Sequence, residues 1–281
     1  MSRKGGAIDV TMSRGGRWTL LGIFALFLAF LYLPTVMLII FSFNDSTNVA
    51  FPLAGFTTDF YTAAFENENV RKAFLASLKV GAGVAVITTA IAVLVSYALA
   101  RRRMRFKPLI SAFILLPLVV PTVVLGVALL ILFKPNAPVL PIPLGLWAVL
   151  IGHTVFALPF CVLLVLPRLA SIDRRIEEAA FDLGASWFTT FRRIILPLIT
   201  PALISSLLIA FVISIDEVVI ASFLVQDQVT YPVYLYSGLR VSGQTSILMP
   251  IATVMILVSF VLVLVAELVR RIGERRLGVT Q

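Results

Sequence analysis

Six long apolar stretches alternate with short polar ones along the 281-residue chain. A hydrocarbon core about 30 Å thick is crossed by a helix of about 20 mainly apolar residues. Runs of that kind occupy roughly residues 18–43, 74–100, 109–133, 144–166, 198–225 and 247–269. The connections 44–73, 101–108, 134–143, 167–197 and 226–246 are polar, with tails at 1–17 and 270–281. This pattern predicts an all-α polytopic membrane protein of six transmembrane helices, with one transmembrane domain over 18–269. The first run, Leu20 to Phe43, is longer than the 7–15 residues of a signal-peptide core, and no small-x-small cleavage site follows it, so it reads as a retained anchor. The Pro-rich stretch from Lys134 to Pro143 reads as an extended connection, because a residue before Pro avoids the helical region.

Charge adds orientation. Eighteen of the 23 Lys and Arg fall on one side if six spans alternate. They are Arg3, Lys4, Arg14 and Arg17; Arg101, Arg102, Arg103, Arg105 and Lys107; Arg168, Arg174, Arg175, Arg192 and Arg193; and Arg270, Arg271, Arg275 and Arg276. Arg71, Lys72, Lys79, Lys134 and Arg240 fall on the other. The positive-inside rule then places both termini and the 167–197 connection in the cytoplasm. The net charge of +9 is accordingly topogenic, and no nucleic-acid partner is expected. A composition 60% hydrophobic and 13% charged agrees with a membrane chain. One Cys, Cys161, excludes an internal disulfide, and one His, His153, argues against a His-built metal site.

The most patterned polar connection is 167–197. Ile172, Ile176, Ala179 and Ala180 recur at helical spacing, with Asp173, Arg174, Arg175, Glu177 and Glu178 on the remaining surface. Ser171 is a candidate N-cap and Gly184 a candidate left-handed helix end. Ser186 is placed to cap a second short helix holding Trp187, Phe188 and Phe191. Pro197 falls near the start of the fifth span, where a missing N–H costs little. Periodicity alone leaves two readings open: a loop resting on lipid headgroups, or a docking element. The chain has no G-x-x-x-x-G-K-[ST], so a nucleotide-phosphate loop would have to come from another chain. Gly81-Ala82-Gly83 is read as a close-approach surface between helices.

Glu178, Ala179 and Ala180, then Gly184, then Ile194, Leu196 and Pro197, fill every fixed position of E-A-A-x-x-x-G-(nine residues)-I-x-L-P. The chain thereby resembles the membrane subunits of binding-protein-dependent ABC importers, over about residues 70–270. Ala76-Ser77-Leu78 and Tyr97-Ala98-Leu99-Ala100-Arg101 fit the same family. Phe211 to Phe223, Tyr32-Leu33-Pro34 and Phe41-Ser42-Phe43-Asn44 look like the second membrane subunit of spermidine/putrescine transporters. The resemblance implies the type I importer permease (MetI-like) fold in a bacterial inner membrane. It implies an ATPase-coupling role for Glu178, Ala179, Ala180, Gly184, Ile194, Leu196 and Pro197. It also implies a second, distinct permease subunit, two ATPase subunits holding ATP and Mg, and an extracytoplasmic solute-binding protein. This chain itself would be no enzyme and hold no cofactor. Related permeases carry opines, amino-acid derivatives or phosphonates, which stay open as alternative substrates.

Asp216 and Glu217 are the acidic residues deep within an expected span. Each costs about 2.5–3.5 kcal/mol to insert, so protein or water should face them. Asp216 lies roughly 22 Å beyond Pro201 at 1.5 Å per helical residue, in the outer half of the fifth span. One of the two faces a cationic substrate, or both pair with neighbouring donors. Tyr231, Tyr234 and Tyr236 are candidates to stack on a cation or to anchor at the interface, with Tyr234 carried as a pathway candidate. His153 reads as a packing histidine and Cys161 as a small apolar filler. A stand-alone secondary transporter is the rival class, but paired broken repeats are not evident and it leaves the E-A-A loop unexplained.

Overall fold

The computed structural model describes residues 14–46, 50–134, 142–240 and 245–276. Most of the N-terminal tail, most of the Pro-rich 134–143 connection and the last residues of the C-terminal tail lie outside these. Among the described residues there is no strand, only an isolated bridge between Asn44 and Phe56. Helix α1 spans Arg14–Phe41, and its large apolar side chains, such as Trp18, Phe24 and Phe30, point outward. The expected polar connection 44–73 contains helix α2, Asp59–Glu66, and the first turn of α3, Glu68–Arg101. The second span starts early because Asn67 caps it, its Oδ1 accepting from the N–H of Asn69 and Val70 at 3.0 and 3.2 Å.

Two expected spans are not continuous. The run 109–133 is a pair of helices, α4 at Lys107–Val119 and α5 at Thr122–Phe133, meeting at 109°. Pro121 forces the break: Val120 before it is extended, and Pro121 supplies no N–H to α4. Helix α6, Leu146–Ala170, comes next, and its entry glycine, Gly145, has φ +131. The loop helices α7, Arg174–Asp182, and α8, Trp187–Thr190, lead through a π turn at Phe191–Ile195 into α9, Leu196–Asp216. The fifth span thus ends at Asp216, not near 225. Glu217 is extended, and α10, Val219–Leu224, is a separate short helix. Helices α11, Tyr231–Gly238, and α12, Thr245–Arg276, complete the order.

The core is the contact of α3, α6 and α9, closed at the side by α5 and α10. Val80, Val84, Ala92, Ala148, Val149, Ala157 and Ala210 are buried there with Ile220 and Leu224. Small residues set the spacing, as they do between helices in lipid. Phe211 and Ile215 of α9 lie over Gly81, and Leu150 of α6 lies over Gly83. Hydroxyls join the same helices: Thr89 Oγ1 meets Ser206 Oγ at 3.0 Å, and His153 Nδ1 meets Ser214 Oγ at 2.9 Å. His153 is fully buried, in keeping with a packing histidine.

Gly152 is where α6 meets α10 and α5. A Cβ there would stand 2.7 Å from Leu224 Cδ1, 3.0 Å from Ile220 Cγ2 and 3.3 Å from Leu129 Cδ1. Gly152→Leu is therefore expected to destabilise the chain by about 1–3 kcal/mol through overpacking. Thermal unfolding of the purified variant in detergent reads this out. An unchanged melting temperature would refute the close α6–α10 packing.

Candidate functional site

The 167–197 connection is built from local caps. Ser171 closes α6, its Oγ donating to Arg168 O at 2.8 Å, so it does not cap the next helix. Asp173 does: its carboxylate accepts from Arg175 N–H at 3.0 Å. The expected Ser171 cap is therefore displaced by two residues, because Ser171 still has helical geometry and Asp173 is extended. At the far end Gly184 has φ +82. Ala185 N–H reaches Ala180 O at 3.0 Å and Gly184 N–H reaches Phe181 O at 2.9 Å, the bond pair of a Schellman helix end. Ser186 then caps α8, accepting from Thr189 N–H at 3.2 Å.

A buried ion pair fixes this loop to α3. Glu177 Oε1 accepts from Arg101 Nε at 2.5 Å, with the two side chains 8% and 9% exposed. Tyr97 OH donates to Glu177 Oε2 at 3.0 Å, and Trp187 Nε1 donates to Tyr97 OH at 3.0 Å. Arg101 Nη2 also donates to Ile172 O at 3.1 Å. Trp187 and Phe191 stack 5.5 Å apart, and each meets Tyr97 edge-on at 5.7 Å. One carboxylate thus gathers both loop helices and the end of α3.

This arrangement corrects the sequence-based face of α7. Helical spacing groups Glu177 with the polar side, and Ile176 and Ala179 with the apolar one. The structure buries Ile172, Glu177 and Ala180 and leaves Ile176 and Ala179 exposed. The sequence marks Tyr97 and Arg101 as family-like residues and Arg101 as topogenic charge, but gives neither a partner. The available signal was an acidic residue three positions before a buried alanine. It could not say which of the five basic residues at 101–107 would meet it.

The remaining loop residues divide in two. Ile194 is half-buried in the π turn, where Leu196 N–H bonds Phe191 O. Leu196 packs against a cluster of Val93, Val165, Leu169, Ile195 and Ile199. Pro197 lies at the second residue of α9 inside one continuous helix from Trp187 to Asp216, so it does not start the span. The wide π turn lies immediately before this residue, which cannot donate a backbone bond. Glu178, Ala179 and Gly184 are exposed, as are Phe181, Leu183 (89%) and Phe188 (63%). The loop is held from within and shows an apolar surface outward.

At the other end of α9, the two acidic neighbours have different surroundings. Glu217 Oε1 accepts from Val219 and Ile220 N–H at 2.8 and 2.9 Å, so it is the start cap of α10. Asp216 is exposed at the last residue of α9, and among the described residues no hydrogen bond or ion pair engages it. Tyr234 lines a separate cleft with Asn69, Lys72, Lys79, Asp227 and Gln228; Asp216 is not part of that lining. Tyr231 is buried, its OH donating to Leu248 O at 2.5 Å, and cannot stack on a ligand. Arg240 lies over the Tyr236 ring at 5.0 Å.

With that geometry in place, residues 91–279 match the family described as the inner membrane component of binding-protein-dependent transport systems. The chain is 37% identical over 244 residues to the spermidine/putrescine transport system permease protein PotC of Escherichia coli, covering 86% of this chain and 90% of that one. It is 36% identical over 215 residues to the putrescine transport system permease protein PotI of Escherichia coli, covering 75% and 76%. The structure superimposes on a chain of a bacterial alginate ABC transporter, solved with an alginate pentasaccharide-bound periplasmic protein, with TM-score 0.70 at 18% identity over 92% and 94% of the chains. This chain belongs to the family of binding-protein-dependent ABC importer permeases and has their fold.

Two outcomes follow from the loop geometry. Arg101→Gln or Glu177→Gln leaves a buried charge without its counterpart, and is expected to cost about 3–5 kcal/mol. Melting of each single variant, and of the exchange Arg101→Glu with Glu177→Arg, checks this; singles as stable as the parent would show that the pair does not hold the loop. Gly184→Leu puts a branched side chain in a left-handed turn at about 1–2 kcal/mol, whereas Gly184→Asn is expected to be tolerated. Limited proteolysis of the 167–197 segment distinguishes them, and equal cleavage of both would contradict the turn.

Proposed function

We propose that this chain is one of the membrane subunits of an ATP-driven importer of polyamines, spermidine or putrescine, in a bacterial inner membrane. The likeness to PotC and PotI supports the substrate class. Fold alone does not, since the same architecture serves an alginate transporter. A second, distinct permease, two ATPase subunits that carry ATP and Mg, and an extracytoplasmic binding protein complete the assembly. Both termini and the 167–197 loop face the cytoplasm, in accord with the basic residues at 101–107 and 168–193.

The observation that carries the mechanism is the loop clamped by Arg101–Glu177 with Phe181, Leu183 and Phe188 uncovered. An apolar surface on a rigid support is what a docking partner needs. Glu178, Ala179 and Gly184 form the outward part of that surface, with Ala180 buried beneath it. Ile194, Leu196 and Pro197 continue it into α9, so a push from the ATPase enters the fifth span directly.

Asp216 is the substrate-facing group of this reading. It stands at the C-terminal end of α9, where unsatisfied carbonyls make the negative end of the helix dipole. Its carboxylate adds to that field, and the two together attract an ammonium group. Glu217, spent on the α10 cap, shapes the break but does not meet substrate. Tyr234 offers a ring at the outer cleft to the approaching cation.

The assembled transporter in proteoliposomes, with its binding protein, should take up labelled spermidine or putrescine only with ATP. Uptake driven by an ion gradient without the ATPase would overturn the importer reading. Asp216→Asn is expected to lower uptake about tenfold or more, the loss of one charge-assisted contact worth about 1.5–3 kcal/mol, while assembly and basal ATP hydrolysis persist. Unchanged uptake would remove Asp216 from the pathway.

A further inference from the structure

The α3–α4 connection carries cations that neither the coupling loop nor the substrate reading uses. Arg102, Arg103, Arg105 and Lys107 line one cleft together with Arg174, the first residue of α7. No acidic side chain lines it. Two exposed cations elsewhere sit in ion pairs: Lys72 with Glu68 at 2.7 Å and Arg271 with Glu267 at 2.6 Å. The side chains of Arg102, Arg103, Arg105 and Lys107 engage no hydrogen bond or ion pair among the described residues. Orientation by positive charge needs only a count of cations on one side. It does not need residues 72 positions apart, Arg102 and Arg174, to converge on one hollow.

The residues that adjoin these cations in sequence are equally specific. Phe106, Leu109, Ile110 and Phe113 are 64%, 67%, 38% and 75% exposed. They belong to the first turns of α4 and the residue before it. A cationic cleft beside uncovered apolar side chains is the chemistry of the boundary between headgroups and hydrocarbon. Basic pockets between spans at that depth hold anionic headgroups, each cation adding an attraction of the surface-potential kind.

We propose that this cleft binds the phosphate-bearing headgroup of an anionic phospholipid, with the acyl chains along Phe106, Leu109, Ile110 and Phe113. Arg174 connects the site to the loop. Its Nη2 donates to the carbonyls of Ala100, at 3.4 Å, and Arg101. A headgroup held between Arg174 and Arg102–Lys107 braces the start of α7 against the end of α3, beside the Arg101–Glu177 pair. Anionic lipid thereby stiffens the element that would meet the ATPase. The inference is independent of the substrate, and its lipid readout does not depend on transport.

The test uses the assembled transporter, purified and presented with phosphatidylglycerol or phosphatidylcholine, with retained lipid counted by native mass spectrometry. The parent is expected to retain phosphatidylglycerol about tenfold better than phosphatidylcholine. Arg103→Gln with Arg105→Gln, which leaves Arg102 and Lys107 to orient the chain, should lose most of that preference. Inorganic phosphate at about 10 mM should not displace the lipid; displacement would make the site one for free anions and overturn the lipid assignment. If the double variant fails to insert, the parent alone decides, since equal retention of the two lipids refutes the proposal. Unchanged lipid retention with weakened ATPase association would give these cations to an acidic protein surface instead, and would overturn it too.

Discussion

Backbone polar groups that leave a helix inside a membrane must find a partner within the protein, because lipid offers none. This chain breaks its helices at several places, and side chains or distant backbone groups answer those breaks. Glu217 receives the first N–H groups of α10. Gly145 N–H bonds Leu224 O at 2.8 Å, joining the start of α6 to the end of α10. Tyr231 N–H is taken by Ser77 Oγ of α3 at 2.8 Å. The end of the molecule at the close of α9 is thus a set of interrupted helices sewn to one another, and Asp216 stands uncovered among them. The same constraint that forbids loose backbone explains why an acidic pair is tolerated here: one carboxylate is a cap, and the other lies at an exposed helix end.

The opposite end of α9 obeys a different logic. There the chain leaves the hydrocarbon and charge becomes affordable, so a carboxylate and a guanidinium hold α7, α8 and α3 together. A buried pair of this kind is weak evidence for stability, since apolar replacements can do as well. It is better evidence for geometry: Glu177 accepts from Arg101 and Tyr97 at once, and Tyr97 in turn accepts from Trp187. Such a network permits one arrangement of the loop relative to α3. An importer driven from outside the membrane needs a loop that moves with the spans and does not slide along them. With the π turn leading without interruption into α9, displacement of α8 has a direct route toward Asp216.

Much of this was determined by the sequence alone. Stretches of about 20 apolar residues have only one stable form in lipid, so the number and approximate position of the spans follow from hydropathy. Local chemistry also suffices where a residue acts on its own backbone: Gly184 at a left-handed helix end and Ser186 as a cap each depend on near neighbours. Even there, competition between close candidates misleads, as when Asp173 displaced Ser171.

What the tertiary structure alone decided are the pairings across distance. Glu177 and Glu178 are adjacent and chemically identical, and one is buried while the other is exposed because only one points at Arg101. Asp216 and Glu217 differ for the same reason, with the break after α9 turning one to the α10 backbone and the other outward. Arg174 joins Arg102–Lys107 in one cleft although 67 residues separate it from Lys107 along the chain. Hydropathy and spacing report on a residue and its neighbours in sequence. The direction in which a helix presents a side chain, and what another helix places opposite it, is set only when α3, α6 and α9 pack.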